Sequence, residues 1–191
     1  MAKKVSDSLK RKISKIQKQI EKLKGQISED CHELFNISYQ EIFENNPDFF
    51  SFAWTQYTPH WNDGDSCEFY AHTDGFYING EDEETSFYEI ETDIKELKKK
   101  DKVIKNLQKE IEQLIQEGKK EDDWEVKYKK ERIEKLNNLN IEDVEKRYKF
   151  LKEVADLMKE MDQEVLESMF GDHAKVVVTK EGAEVESYDH D

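Results

Sequence analysis

Leu9, Ile13, Ile16, Ile20, Leu23, Ile27, Leu34 and Ile37 recur at spacings of four and three residues, with Asp30 holding one place in the series. Apolar residues at the a and d places of about four heptads predict a coiled-coil helix rather than a helix of a globular core. This seam constrains the fold most, because a narrow apolar stripe is incomplete until another surface covers it. Gly25 lies off the stripe and weakens the helix by ~1 kcal/mol relative to alanine. Asn45-Asn46-Pro47 ends it, since proline disfavours helical geometry in its predecessor.

A second seam, Ile90, Leu97, Ile104, Leu107, Ile111 and Leu114, has Lys100 at one place and a capping glycine at Gly118. Each seamed segment spans ~45 Å at the helical rise of 1.5 Å per residue. Matched lengths predict an antiparallel hairpin of helices with the intervening residues at its tip. A parallel homodimer through either seam is the alternative.

The residues between the seams are of another kind. Phe50, Phe52 and Trp54 alternate with Ser51, Ala53 and Thr55, which predicts a strand with one apolar face. Residues 67–72 and 76–79 alternate likewise. Thr73-Asp74-Gly75 supplies hairpin chemistry between them, and Asn79-Gly80 marks another turn. The expectation is a three-stranded meander over residues ~49–80, followed by Glu81-Asp82-Glu83-Glu84 as a solvated connector.

After Gly118, a helix carrying Trp124, Tyr128, Ile133 and Leu136 ends at Asn137-Asn138. Asn140 then caps a helix whose apolar stripe, from Val144 through Met158 to Met169, runs to Gly171. Lys175 to Thr179 and Ala183 to Tyr188, joined at Lys180-Glu181-Gly182, form a hairpin. A lone hairpin is marginal in water, so it docks on the helices or extends the meander.

The fold class expected is therefore α+β, mostly α: long coiled-coil helices, an inserted antiparallel β meander and a C-terminal β-hairpin. The expected division is a coiled-coil helix at 1–44, an acidic aromatic β module at 45–89, a second coiled-coil helix at 90–118, a helical hairpin at 119–171 and the β-hairpin at 172–191.

Composition supports this division. Charged residues make up 39% and the hydrophobic set 36%. That balance suits long helices with narrow seams, and the many aromatics argue against disorder. Net charge is −15. Residues 1–30 carry +5, residues 31–96 carry −15 and residues 97–191 carry −5. A concentration of one sign costs stability through self-repulsion and points to a function for the acidic block. No apolar run is long enough for a transmembrane helix, and MAKKVSDSLKRK has no apolar stretch of a secretory signal. With two cysteines, Cys31 and Cys67, a disulfide framework is not expected, and a cytoplasmic location is.

The segment WTQYTPHWNDGDSCEF, residues 54–69, holds the candidate site. Trp54 is in register with Phe52 and belongs to the core. Tyr57 and Trp61 lie beyond the strand, and with His60, Asn62, Asp63 and Asp65 they make the binding set. Asn62-Asp63-Gly64-Asp65 lacks the alternating acids and closing glutamate of an EF-hand and reads as a turn. His60, Cys67 and His72 lack the paired spacing of a zinc site, and Cys67 reads as a buried thiol. Neither a metal nor another cofactor is expected. No nucleophile elbow, phosphate-cradling glycine loop or metalloprotease motif is present.

The same segment resembles one found in uncharacterised proteins of large tailed phages, of the form WTQYTPxxNDGDxCxF. The Lys-, Glu-, Ile- and Asn-rich usage is compatible with that origin. The resemblance implies a small intracellular phage protein of the sort that often inhibits or modifies a host system, a host-defence system included, and it assigns no activity to particular residues.

The functional expectation is a non-enzymatic interaction protein. An acidic aromatic module engages a protein with a basic surface, and the coiled coils support homo-oligomers. Membrane and direct nucleic-acid binding are not expected, since phosphate affinity needs cations and residues 31–96 hold one lysine. The alternative is a small-ligand module walled by Tyr57 and Trp61, and the third reading an enzyme using Cys67, His60, Asp63 and Asp65.

Overall fold

A computed structural model of the chain describes residues 7–61, 64 and 66–189. The chain is α+β and mostly helical, with a five-stranded antiparallel sheet of order β3-β2-β1-β4-β5. The strands are β1 (Ser51–Tyr57), β2 (Tyr70–Ile78), β3 (Thr85–Ser86), β4 (Ala174–Thr179) and β5 (Gly182–Ser187). The helices are α1 (Asp7–Asn45), α2 (Phe87–Leu97), α3 (Lys100–Gln116), α4 (Trp124–Asn138), α5 (Ile141–Lys159) and α6 (Gln163–Phe170). Two compact units form, one from the residues up to Thr73 with those from Val154 onward, the other from Asp74–Glu153. Strand β2 and helix α5 run from one unit into the other.

In the first unit, α1 ends at Asn45 as the proline predicts. The buried Asn46 amide closes the end by donating to the Ile42 carbonyl at 2.8 Å. Among the described residues, nothing covers the first seam. The seam residues Ile16, Ile20, Leu23, Leu34 and Ile37 stand exposed, and the side chains of Leu9, Ile13 and Ile27 lie outside the described set. A second stripe the heptad reading passed over, Phe35, Tyr39, Ile42 and Phe43, faces inward. It meets Phe52, Trp54 and Phe170, with Trp54 and Phe170 in an edge contact at 5.4 Å.

Strand β1 differs from its expectation. Ser51, Ala53 and Thr55 are buried along with Phe52 and Trp54, so both faces are covered. β1 is also the central strand of its sheet, between β2 and β4. Phe50, by contrast, precedes the strand and is exposed. Gln56 is fully buried and shows how such a position is satisfied. Its carbonyl accepts from Trp54 Nε1 at 3.0 Å, and its amide donates to the Leu166 and Gly171 carbonyls at 3.3 and 2.6 Å.

The meander is corrected. Thr73-Asp74-Gly75 is not a hairpin turn, because β2 runs straight through it. Gly75 lies inside β2 opposite Ser86 of β3, with the Glu84 side chain over it. Cys67 is also corrected. It lies exposed in the irregular stretch before β2, where alternation has no meaning.

The C-terminal hairpin forms as expected, and it joins the sheet through β4. Ser51 pairs with Thr179 and Gln56 with Ala174, which sets Val176 beside Trp54 and Val178 beside Phe52.

In the second unit, the continuous second seam is broken between α2 and α3. Lys99 N–H closes α2 on the Glu96 carbonyl at 2.9 Å. Lys98 reaches Glu145 at 3.0 Å and Lys100 reaches the Asn137 carbonyl, so tertiary partners override the periodicity. Helix α4 packs on α2 and α3. It buries Val126 and Leu136 and leaves Trp124 and Tyr128 outside, the reverse of their expected place in the stripe. Asp93, 7% exposed, is held by Arg132 at 2.9 Å and Lys135 at 2.9 Å, and Arg132 also meets Glu96 at 2.8 Å. Burial works against the Arg132 charge, and Glu96 and Asp93 overcome it, raising the guanidinium above its ordinary pKa.

Asn140 caps α5 as expected, accepting from Glu142 N–H at 2.8 Å. The stripe expected to continue to Gly171 is interrupted, because Asp162 accepts from Glu164 N–H at 3.0 Å and starts α6 as a separate helix.

Candidate functional site

The expected site residues divide into those the structure describes and those it does not. Tyr57, His60 and Trp61 are described; Asn62, Asp63 and Asp65 lie outside the described residues. The three described residues lie in the first unit, at the end of the sheet where β1 finishes and β4 begins.

The sheet register assembles the surroundings. Because Gln56 pairs with Ala174 in an antiparallel ladder, continuing one step brings Tyr57 level with His173 and Thr58 level with Asp172. The contacts agree. Thr58 N–H donates to Asp172 Oδ1 at 2.7 Å, and His173 N–H donates to the same oxygen at 2.8 Å. The next ladder does the same for β5: Ala174 pairs with Ser187, and Tyr188 N–H donates to the His173 carbonyl at 2.8 Å. From β2 come Tyr70 and His72, and Ala71 N–H is held by the Gln163 side chain of α6 at 2.7 Å.

The outcome is a surface of stacked rings. Tyr57 lies on His72 with centroids 4.5 Å apart and planes 26° from parallel, and Tyr188 is 5.7 Å away on the same ring. Tyr70 meets His72 edge-on at 5.0 Å. His60 stacks on His173 at 4.9 Å and 17°. Asp189 lies 3.9 Å from His60, and Asp172 lies 3.8 Å from His173. Trp61 is different: it is 74% exposed at the margin of this surface.

His173 has a φ of 52°, the left-handed region that residues other than glycine adopt uncommonly. The hydrogen bonds of its N–H and C=O and the stacking of its ring hold it there. Burial raises the Tyr57 hydroxyl above its ordinary pKa, with the neighbouring Tyr188 adding to the effect, so Tyr57 stays neutral as a donor and acceptor. For Asp172, burial pushes the carboxyl up, but the hydrogen bonds from Thr58 and His173 outweigh it and the pKa falls below the usual carboxylate value.

This last effect has a sign that can be measured. Folding lowers the Asp172 pKa, so its stabilisation is fully present above the ordinary carboxylate value. It is lost as pH falls through the lower, folded value. Asp172→Ala is expected to cost about 1.5–3 kcal/mol at neutral pH, the range for hydrogen bonds to a charged group, and at its lower end because the side chain is one-third exposed. Urea titrations from neutral to acid pH should show the difference between variant and parent shrinking at the acid end. A difference that stays constant with pH would contradict the assignment.

Among the described residues, no three of His, Cys, Asp and Glu are grouped to hold a metal ion. Among the described residues, clefts also lie elsewhere, each within one unit. One of about 380 Å³ in the first unit lies between His32, Asn36 and Gln40 of α1 and Gly182 to Val185 of the hairpin. One of about 230 Å³ in the second is lined by Glu81, Glu84, Asp93, Lys135 and Arg147. In it Arg147 reaches both Glu81 oxygens and the Thr85 hydroxyl. Neither cleft is lined by Tyr57 or Trp61.

Sequence reading missed Asp172, His173 and Tyr188 because they lie more than a hundred residues from Tyr57. The local sign available was the hairpin pattern at 175–188, which says a ladder exists but not which strand it joins. Comparison with protein-family models, with curated proteins and with solved structures finds no match. Among the described residues, no helix is long and apolar enough to cross a membrane.

Proposed function

We propose that this protein acts by binding another protein, with Trp61 as the anchor of the contact and the Tyr57–His60–His72–His173–Tyr188 surface as its floor. The observation that carries this reading is the contrast between Trp61 and its neighbours. Tyr57 and His72, and His60 and His173, are stacked at the ends of the strands, while Trp61, next in the chain to His60, is exposed. A large aromatic next to a rigid surface is the usual make-up of an interface hot spot. The surrounding acids, Asp172 and Asp189 among them, favour a partner with a basic face, drawn in by charge and held by buried rings. Under the phage resemblance of residues 54–69, that partner is a host protein and the role is that of an inhibitor.

The small-ligand alternative is supported less well, since Tyr57 already has its ring against His72 and Tyr188. Capture from a host lysate at low and high salt, with the parent chain and Trp61→Ala side by side, tests the proposal. Trp61→Ala should weaken binding of the captured partner by ~2 kcal/mol or more, in the hot-spot range, with the thermal midpoint unchanged. Capture that is equal for the two proteins would move the functional surface elsewhere. Tyr57→Ala, in contrast, should lower both binding and stability, because its ring is packed.

A further inference from the structure

We infer that α1 is a dimerisation element and that two copies of this chain pair through it in antiparallel orientation. Ile16, Ile20, Leu23, Leu34 and Ile37 are between 48% and 64% exposed, although they occupy places of one seam, three before and two after Ile27 and Asp30. Among the described residues, α1 gives Phe35, Tyr39, Ile42 and Phe43 to the core of the first unit and leaves these five outside it. A heptad stripe is shaped for another helix of the same period, and an identical α1 supplies one.

Charge selects the occupant and its direction. From Asp7 to Lys24 the helix carries seven Lys/Arg and two Asp/Glu, a net of +5. From Gly25 to Asn45 it carries five Asp/Glu and no Lys/Arg, a net of −5. A lone helix favours the opposite placement, with cations toward its C-terminus, yet the last turn of α1 has Glu44 and no basic residue.

A parallel pair would set like halves together and bring Asp30 of one copy against Asp30 of the other within the seam. An antiparallel pair with Ile20 level with Leu23 of the other copy lays each basic half along the other's acidic half. It separates the two Asp30 carboxylates and puts Lys12 beside Glu33 of the other copy, twice by symmetry. Opposite charges flanking a seam are what set orientation in paired helices.

Full-length protein with Cys31→Ser and Cys67→Ser provides the background for the test. Lys12 and Glu33 are both exposed, so substitution there should leave folding intact, which circular dichroism checks. On one helix these positions are ~31 Å apart at 1.5 Å per residue, beyond disulfide reach. Lys12→Cys/Glu33→Cys should therefore give covalent dimers on mild oxidation with diamide, while Lys12→Cys alone should give none.

Sedimentation should report a dimer for the parent chain. Glu33→Lys should raise its dissociation constant about tenfold or more, and the swap Lys12→Glu/Glu33→Lys should restore it. Trp61→Ala should leave the dimer mass unchanged, so this surface and the aromatic one stand or fall separately. A monomer at every concentration, a trimer or larger species, or ready linkage of Lys12→Cys to itself would each overturn the inference.

Discussion

Trp54→Ala is expected to lower the free energy of unfolding by ~3–5 kcal/mol, the range for truncating a large buried aromatic. Trp54 is 1% exposed and sits among Phe35, Phe52 and Phe170, so the vacated volume is walled by rings that cannot collapse freely. The loss is compounded by hydrogen bonding. Trp54 Nε1 donates to Gln56, whose amide ties β1 to the Leu166 and Gly171 carbonyls at the end of α6. Without the indole, a fully buried carbonyl oxygen on Gln56 loses its donor. Urea denaturation of Trp54→Ala beside Phe50→Ala checks this. Phe50 is 56% exposed, and its replacement should change stability by no more than ~0.5 kcal/mol, as for ordinary surface positions. Equal effects at the two positions would mean that β1 is not the centre of the sheet.

Asp93→Ala is the second large effect expected, at ~3–5 kcal/mol, the cost of removing one member of a buried ion cluster. Asp93 joins α2 to α4 by holding Arg132 and Lys135 at once. Removing it leaves Arg132, with only 17% of its side chain exposed, facing Glu96 alone. The comparison is Lys95→Ala, which breaks the exposed pair with Glu91 four residues before it. That loss should be under ~1 kcal/mol, since exposed pairs contribute little. Thermal melts followed in the far ultraviolet distinguish the two, and a small effect at Asp93 would show that the cluster merely fills the surface.

Much of the local architecture was legible in the residues. The end of α1 at Asn45, the cap at Asn140, the glycine stops after α3 and α6 and the hairpin from Lys175 to Tyr188 stand where their chemistry puts them. Each depends on residues within about four positions of one another, so short-range sequence suffices. The errors share a cause as well. Thr73-Asp74-Gly75 has turn chemistry, yet it lies inside β2, where Gly75 pairs with Ser86 of β3. Cys67 alternates in the sequence, but the strand it would belong to starts three residues later. Trp124 and Tyr128 fit a helical stripe that α4 buries on another face.

The candidate site divides along the same line. Tyr57, His60 and Trp61 could be picked out because they are dense in chemistry and stand just past a strand. Their partners could not. His173 reaches His60, and Asp172 reaches Thr58, only because β4 pairs with β1 rather than with another edge.

What the sequence alone determined about this protein is its menu of helices, strands and caps, since these follow from periodicity and nearest-neighbour hydrogen bonding. Only the tertiary structure decided that the C-terminal hairpin enters the sheet beside β1 and that Gln56 locks onto α6 110 to 115 residues away. Pairings at that separation are chosen by which buried faces and polar groups satisfy one another in space, and no local pattern encodes that choice.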